Sequence, residues 1–270
     1  MEQVLDERKR LEAEFHDQLR THHLEQRWSL EAEKSLHGNR EWSNFKWYCV
    51  ERRSLDYVRD RLAQLCRGKA VLDYCCGNGL DALRIAEAGA RKVIGIDISE
   101  TSIENCRMQA ERSGVANAAF EVMDAEALDF PDGSFDVITE YGSLHHLDLR
   151  KALPELARVM KADGEMIASE VLGHNPLIHW YRRSTPHLRT AWEVDHILRR
   201  QDVEIANEYF GRVDVRCFHL TTLLAVPFRR FTFFPYLLTV LEKIDDLLLA
   251  LPVLKWQAWM VVISLSQPKK

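Results

Sequence analysis

The sequence predicts an α/β fold built on a mostly parallel sheet, and three observations carry that expectation. Short β-type apolar runs alternate with helix-period segments between Lys69 and Val171. A glycine turn, Cys76-Gly77-Asn78-Gly79, lies between the first strand run and the first helical run. Aspartates 73, 97 and 124 stand at or just past the carboxyl ends of three strand runs. Such alternation buries parallel strands between helices on both faces.

Each element follows in order. Val4, Leu11, Phe15 and Leu19 fall near one face of a charged N-terminal helix, which Gly38-Asn39 interrupts. An aromatic cluster of Trp42, Phe45, Trp47 and Tyr48 precedes a second helix with Leu55, Val58, Leu62 and Leu65 at helical spacing. Residues 1–65 are therefore expected to form an N-terminal helical cap, and 66–270 the main domain. Strands are expected at Ala70–Tyr74, 93–96, 119–123, 135–139 and 165–171, with helices at 80–89, 101–113 and around Leu149, Leu153, Leu156 and Met160. Pro154 must sit in the first turn of that last helix or distort it. Beyond Val171, insertions are expected at about 174–210 and 221–254, with strand-like runs at 213–220 and 259–264.

Composition narrows the function. A chain of 270 residues with 46 % hydrophobic content suits one large domain. A net charge of −5 disfavours a general electrostatic nucleic-acid binder. Six cysteines form no C-x-x-C pair, so free thiols in a reducing, cytoplasmic setting are expected. The first 20 residues are charge-dense, and no apolar stretch suggests a leader or a membrane span.

Gly77, Gly79 and Ala82 satisfy the spacing of a dinucleotide-binding turn, which keeps an NAD(P)-dependent oxidoreductase open as an alternative. Asp73 argues against it. A carboxylate at the mouth of the turn repels a pyrophosphate and suits a cationic ligand. Asp97, ending the second strand run, can accept hydrogen bonds from ribose hydroxyls in either kind of site.

On these residues the chain resembles the class I S-adenosylmethionine-dependent methyltransferases, particularly small-molecule enzymes of the "type 11" group. The resemblance spans roughly residues 65–171. It rests on D-Y-C-C-G-N-G at 73–79, I-G-I-D at 94–97, M-D-A at 123–125, F-D-V-I-T-E at 135–140, L-H-H-L at 144–147 and E-L-A-R-V-M-K-A-D-G-E at 155–165. It implies a Rossmann-like seven-stranded sheet whose last strand, 259–264, is inserted antiparallel. It implies S-adenosyl-L-methionine as cofactor, held by Asp73, Tyr74, Cys75, Gly77, Asn78, Gly79, Asp97, Ile98, Asp124, Ala125 and Glu140, with Asp124 near the adenine amino group. Methyl transfer to a small-molecule acceptor, lipophilic or anionic, is the expected reaction. A non-catalytic S-adenosylmethionine-binding protein is the other alternative.

His145 and His146 follow the fourth strand run, where the methyl group would be presented, and are the candidate catalytic bases. The cationic insertion with His174, His179, Arg182, Arg183, His187, Arg189 and His196 reads either as an anion-binding wall or as a solvated face. It has no zinc-site spacing, so no metal is expected. From Gly211 onward, eight Lys/Arg oppose four Asp/Glu, against a net −9 for the rest. There Arg229 and Arg230 stand among Phe228, Phe231, Phe233, Phe234 and Tyr236. A peripheral membrane contact, a lid, a homodimer contact and a buried helix pair all remain open for that stretch. No nucleic-acid partner is expected.

Overall fold

The computed structural model describes residues 7–22, 28–35, 44–185, 188, 190, 192 and 196–269. Val4, Gly38-Asn39, Trp42, His187 and Arg189 lie outside the described residues. The chain runs through α1 (Glu7–His22), α2 (Leu30–Ser35), a 3-10 segment (Phe45–Val50) and α3 (Arg52–Leu65). The βα succession follows: β1 (Ala70–Tyr74), α4 (Leu80–Glu87), β2 (Lys92–Asp97), α5 (Glu100–Ser113), β3 (Ala118–Val122), β4 (Phe135–Tyr141), α6 (Leu149–Val159) and β5 (Met160–Val171). After it come α7 (Pro176–Ser184), α8 (Arg200–Tyr209), β6 (Phe210–Phe218), a 3-10 segment (Thr221–Phe228), α9 (Phe234–Leu248) and β7 (Met260–Pro268).

The sheet has seven strands in the order β3-β2-β1-β4-β5-β7-β6. Its first four pairings are parallel, and β7 enters antiparallel between β5 and β6, as expected. Strand side chains alternate between faces, so the apolar runs supply two cores. Leu72, Tyr74, Ile94, Ile96 and Ile138 meet Leu153 and Leu156 of α6 and Val203 of α8 on one face. Val71, Val93, Val137 and Ile167 meet α3, α4 and α5 on the other, through Val58, Leu62, Leu83, Ile103 and Cys106. Each such buried aliphatic side chain contributes about 1.5–3 kcal/mol relative to exposure.

Three sequence expectations need correction. The fifth strand begins at Met160, five residues before the expected start, because β5 carries on directly from α6. Of the two alternatives for Pro154, the first turn is excluded, because the residue lies in the interior of α6. The carbonyl it leaves without an amide donor belongs to exposed Arg150, where water can serve it. The basic-aromatic stretch divides. Phe234 is buried with Cys49, Val50, Ala225, Val226 and Leu238, and Arg229 and Arg230 both pair with Glu33 of α2 at 2.7 Å. Arg229, with Arg230 and Trp28, outweighs burial and brings Glu33 down to about 2. Phe228, Phe231 and Phe233 remain an exposed trio with ring centroids 5.4–6.3 Å apart. Among the described residues no helix is long and apolar enough to cross a membrane.

At the far end of the sheet, buried Asp245 of α9 accepts from the amides of Leu220, Thr221 and Thr222 and from both threonine hydroxyls, at 2.6–3.3 Å. Beside it His219, at φ +66°, sets its Nε2 2.8 Å from the Ser54 hydroxyl, and burial pushes its ring down to about 3. A cavity of about 230 Å³ opens here, lined by Arg53, Arg216, His219, Glu242, Asp245 and others.

Candidate functional site

A second cavity, of about 110 Å³, lies beyond the carboxyl ends of β1, β2 and β4. In open α/β sheets this is where ligands bind. Of the sequence-derived residues, Cys75, Gly77, Asp97, Ile98, Asp124, Ala125 and His146 line it. Asp73, Tyr74, Asn78, Gly79, Glu140 and His145 stand behind that wall.

The turn after β1 explains the division. Cys75 takes φ +55°, Gly77 +52° and Gly79 +72°. Left-handed backbone is costly for a residue with a Cβ, which suits the two glycines and leaves Cys75 as the strained member. A Cβ on Gly79 would also lie 2.8 Å from the Cys106 sulfur. Asp97 accepts from the Gly77 amide and the Ser99 amide, each at 2.9 Å. Asp73 accepts from the Ala82 amide at 3.0 Å, in the first turn of α4. Both aspartates thus take up amides that a phosphate would otherwise seek. Tyr74 is fully buried and donates its hydroxyl to the Ala125 carbonyl at 2.6 Å. The Asn78 side chain accepts from Asn105 at 3.1 Å, locking the turn to α5. Burial, with Asp97 nearby, pushes the Cys75 thiol well above its ordinary value, so it is a neutral wall and not a nucleophile.

Behind the β4 end lies a buried acid–histidine cluster. Glu140 accepts from the Ser143 amide and, at 2.8 Å, from the Ser143 hydroxyl. Glu170 of β5 accepts from the Leu144 amide at 2.5 Å and pairs with His145 Nδ1 at 2.7 Å. Burial and the Glu170 carboxylate push Glu140 well above the usual carboxylate range. Burial alone would raise Glu170 too, but the His145 imidazole outweighs it and brings Glu170 below its ordinary value. The two carboxyls are thereby pushed apart, Glu140 toward its neutral form and Glu170 toward its charged form. The His145 and His146 rings lie side by side, tilted by 35°, with centroids 4.3 Å apart.

The remaining wall comes from α1. Arg8, Lys9, Glu12 and His16 line the cavity, with Ser102, Tyr141, Gly142, Ser143 and Leu147. Lys9 reaches Asp124 at 2.6 Å, and Arg8 pairs with Glu126. Asp17 accepts from the Ser99 hydroxyl at 2.6 Å and from the Thr101 amide at 3.2 Å. Glu12 accepts from His146 Nδ1 at 3.0 Å and from the Thr190 hydroxyl at 2.5 Å. Burial would raise Glu12, but His146 and Thr190 hold it below its ordinary value. Sequence reasoning placed α1 in a helical cap and missed Arg8, Lys9, Glu12 and His16 as lining residues. For Arg8, Glu12 and His16 the signal was their spacing of four, which puts them on one helix face. Of the cationic insertion, His174, His179, Arg182, Arg183 and His196 stay off this cavity.

Comparison with known proteins bears on the same segment. Residues 71–164 match the family described as methyltransferase domain. Over 120 residues the chain is 39 % identical to 27-O-demethylrifamycin SV methyltransferase of Amycolatopsis mediterranei, covering 43 % of this chain and 44 % of that one. Over 124 residues it is 38 % identical to a ubiquinone biosynthesis O-methyltransferase of Neisseria meningitidis, covering 45 % and 51 %. The chain thus spans about half the length of the curated relatives it matches. Among solved structures it shares its fold with geranyl diphosphate C-methyltransferase from Streptomyces coelicolor, solved with S-adenosyl-L-homocysteine, at TM-score 0.63 and 14 % identity over 97 % of this chain and 98 % of that one.

Proposed function

We propose, from the premise that residues 71–164 carry a class I S-adenosylmethionine-dependent methyltransferase domain, that the whole chain transfers a methyl group from that cofactor to a small-molecule acceptor. The observation that carries the cofactor reading is the fate of the amides in the glycine turn. Gly77 donates to Asp97 and Ala82 to Asp73, so the helix start is already met by carboxylates. A pyrophosphate there would face two negative charges in place of free amides. A sulfonium and an ammonium group suit the same place. This disfavours a nicotinamide dinucleotide.

The cavity residues fit the cofactor group by group. Asp97 keeps lone pairs for ribose hydroxyls, and Asp124 for an amino group once Lys9 yields. Gly142, at φ +71° with nothing within 4 Å of its Cβ position, leaves room beside Cys75 and Tyr141. When bound, S-adenosylmethionine supplies an electrophilic methyl carbon on a positively charged sulfur. The chain's part is alignment and water exclusion, which can supply several kcal/mol of the barrier. Of the two candidate histidines, His146 is the ring at the cavity wall. His145 is turned to Glu170 and supports it from behind.

Calorimetry with S-adenosylhomocysteine and with NAD(P) tests the reading. Binding of the first and not the second is the expected result; the reverse overturns it.

A further inference from the structure

We infer that Glu12, His16 and His146 form a binding site for a divalent transition-metal ion that holds an oxygen of the acceptor against the cavity. The inference rests on the methyltransferase reading for the meaning of "acceptor". The site itself rests on side-chain positions.

Glu12 and His16 are one helical turn apart on α1, and His146 comes from the 3-10 turn after β4. Glu12 Oε2 lies 3.0 Å from His146 Nδ1 and 3.8 Å from His16 Nε2. One donor atom from each residue falls within 4.8 Å of the other two. Metal–ligand bonds of about 2.1 Å set neighbouring ligand atoms about 3.0–3.5 Å apart. Side-chain rotations of about 1 Å therefore bring all three onto one ion.

The surroundings are those of a ligand set. The second Glu12 oxygen is held by the Thr190 hydroxyl, and the His146 carbonyl by Arg8 at 2.7 Å. The His146 ring packs at a tilt against His145, which is itself fixed by Glu170. Outer contacts of this kind orient metal ligands. The charges of the two cations next to the cluster on α1 are met by other carboxylates, Arg8 by Glu126 and Lys9 by Asp124 and Glu126. All three ligands line the same cavity as Cys75, Gly77 and Asp97. Open coordination positions would thus face the space where the acceptor sits, as in catalytic sites and unlike closed structural ones. Two imidazoles and one carboxylate favour zinc, iron, cobalt or manganese over calcium or magnesium.

The chemical consequence is a preference for acceptors that present two adjacent oxygens, able to fill two open positions. Bound to the cation, an acceptor hydroxyl would lose its proton to solvent more readily, and its oxygen would take the methyl carbon as the carbon–sulfur bond breaks and S-adenosylhomocysteine leaves.

Cobalt(II) is the probe. Chelator-treated full-length protein, titrated with Co²⁺, should develop visible d–d bands that saturate at one equivalent. Paramagnetic shifts should appear on the protons of two imidazole rings, a readout that needs no variant. Glu12→Gln and His16→Ala should each weaken binding by about 10- to 100-fold, while His196→Ala, an exposed ring off the cavity, should not. Absence of bands at one equivalent overturns the proposal, as do unchanged bands in both variants. Glu12 would then be a hydrogen-bonding anchor for His146 and nothing more. S-adenosylhomocysteine is titrated into the same sample. Its binding without cobalt bands overturns the metal site alone; its failure to bind overturns the methyltransferase reading.

Discussion

Two buried acidic clusters differ in how their charges are met. Asp245, at the β6 edge, spends its carboxylate on three amides and two hydroxyls and borders the larger cavity, of about 230 Å³. Glu140 and Glu170, at the β4 and β5 ends, crowd two carboxyl groups against one histidine beside the smaller cavity, of about 110 Å³. Cavity size would choose the first region. Electrostatics chooses the second: the perturbed group of the first region, His219, is pushed down by burial and sits beside a carboxylate met by five donors, whereas in the second two carboxyl groups perturb each other at the end of the parallel strands. The Asp245 cluster fixes the 3-10 segment to α9, whereas the Glu140 cluster sets the loop that carries His146 through the amides of Ser143 and Leu144.

Substitutions can break or sharpen that contrast. The largest expected effect is on stability: Asp245→Ala strands several buried donors and should cost about 3–5 kcal/mol in urea unfolding. S-adenosylhomocysteine affinity should stay the same; a parallel loss of affinity would erase the distinction between the regions. Next, His146→Ala should lower turnover by about 100-fold or more with an unchanged melt. His145→Ala should act chiefly on the melting temperature, because it leaves Glu170 buried without its partner. Third, Asp97→Ala removes charge-assisted hydrogen bonds worth about 1.5–3 kcal/mol and should weaken S-adenosylhomocysteine by about 10- to 150-fold in calorimetry.

The smallest effect, per pH unit, comes from Glu51, a buried carboxyl outside both clusters. One of its oxygens accepts from Tyr141 at 3.0 Å and the other has no hydrogen-bond partner among the described residues. Burial pushes it up to about 8, from 4.5. Between those values the folded chain holds a proton that the unfolded chain has released. Stability is therefore full below about pH 4.5 and falls as pH rises toward 8, by up to about 1.4 kcal/mol per unit. Glu51→Gln should flatten that slope in denaturant titrations across the same range.

Most of the sheet was legible because period-two and period-3.6 patterns are local properties of the chain. Ala70–Tyr74, 93–96 and 135–139 sit inside observed strands, and even the antiparallel entry of 259–264 followed from the family resemblance. The start of β5 was not legible, since Lys161, Asp163 and Gly164 break the apolar pattern while the backbone continues extended. The glycine turn and its aspartates were legible as a set. What each aspartate touches was not, because Ala82 and Lys9 become partners only through the tertiary fold. The contribution of α1 was hidden for the same reason. A charged helix face reads as solvated, and only the fold reveals that Asp124, Glu126 and Ser99 stand opposite it.

That helix gives the site a kinetic order. Lys9, Arg8 and Asp17 stitch α1 to Asp124, Glu126 and Ser99, over the cavity in which the cofactor is proposed to lie. The same helix brings Glu12 and His16 to the acceptor side. Entry of the nucleoside therefore requires the stitches to open, and the acceptor's binding surface is complete only after they close again. On the proposed function, turnover would then be sequential, with the cofactor first in and its spent form last out. Because the Lys9 and Arg8 stitches are ion pairs, the rate of that exchange would rise with ionic strength.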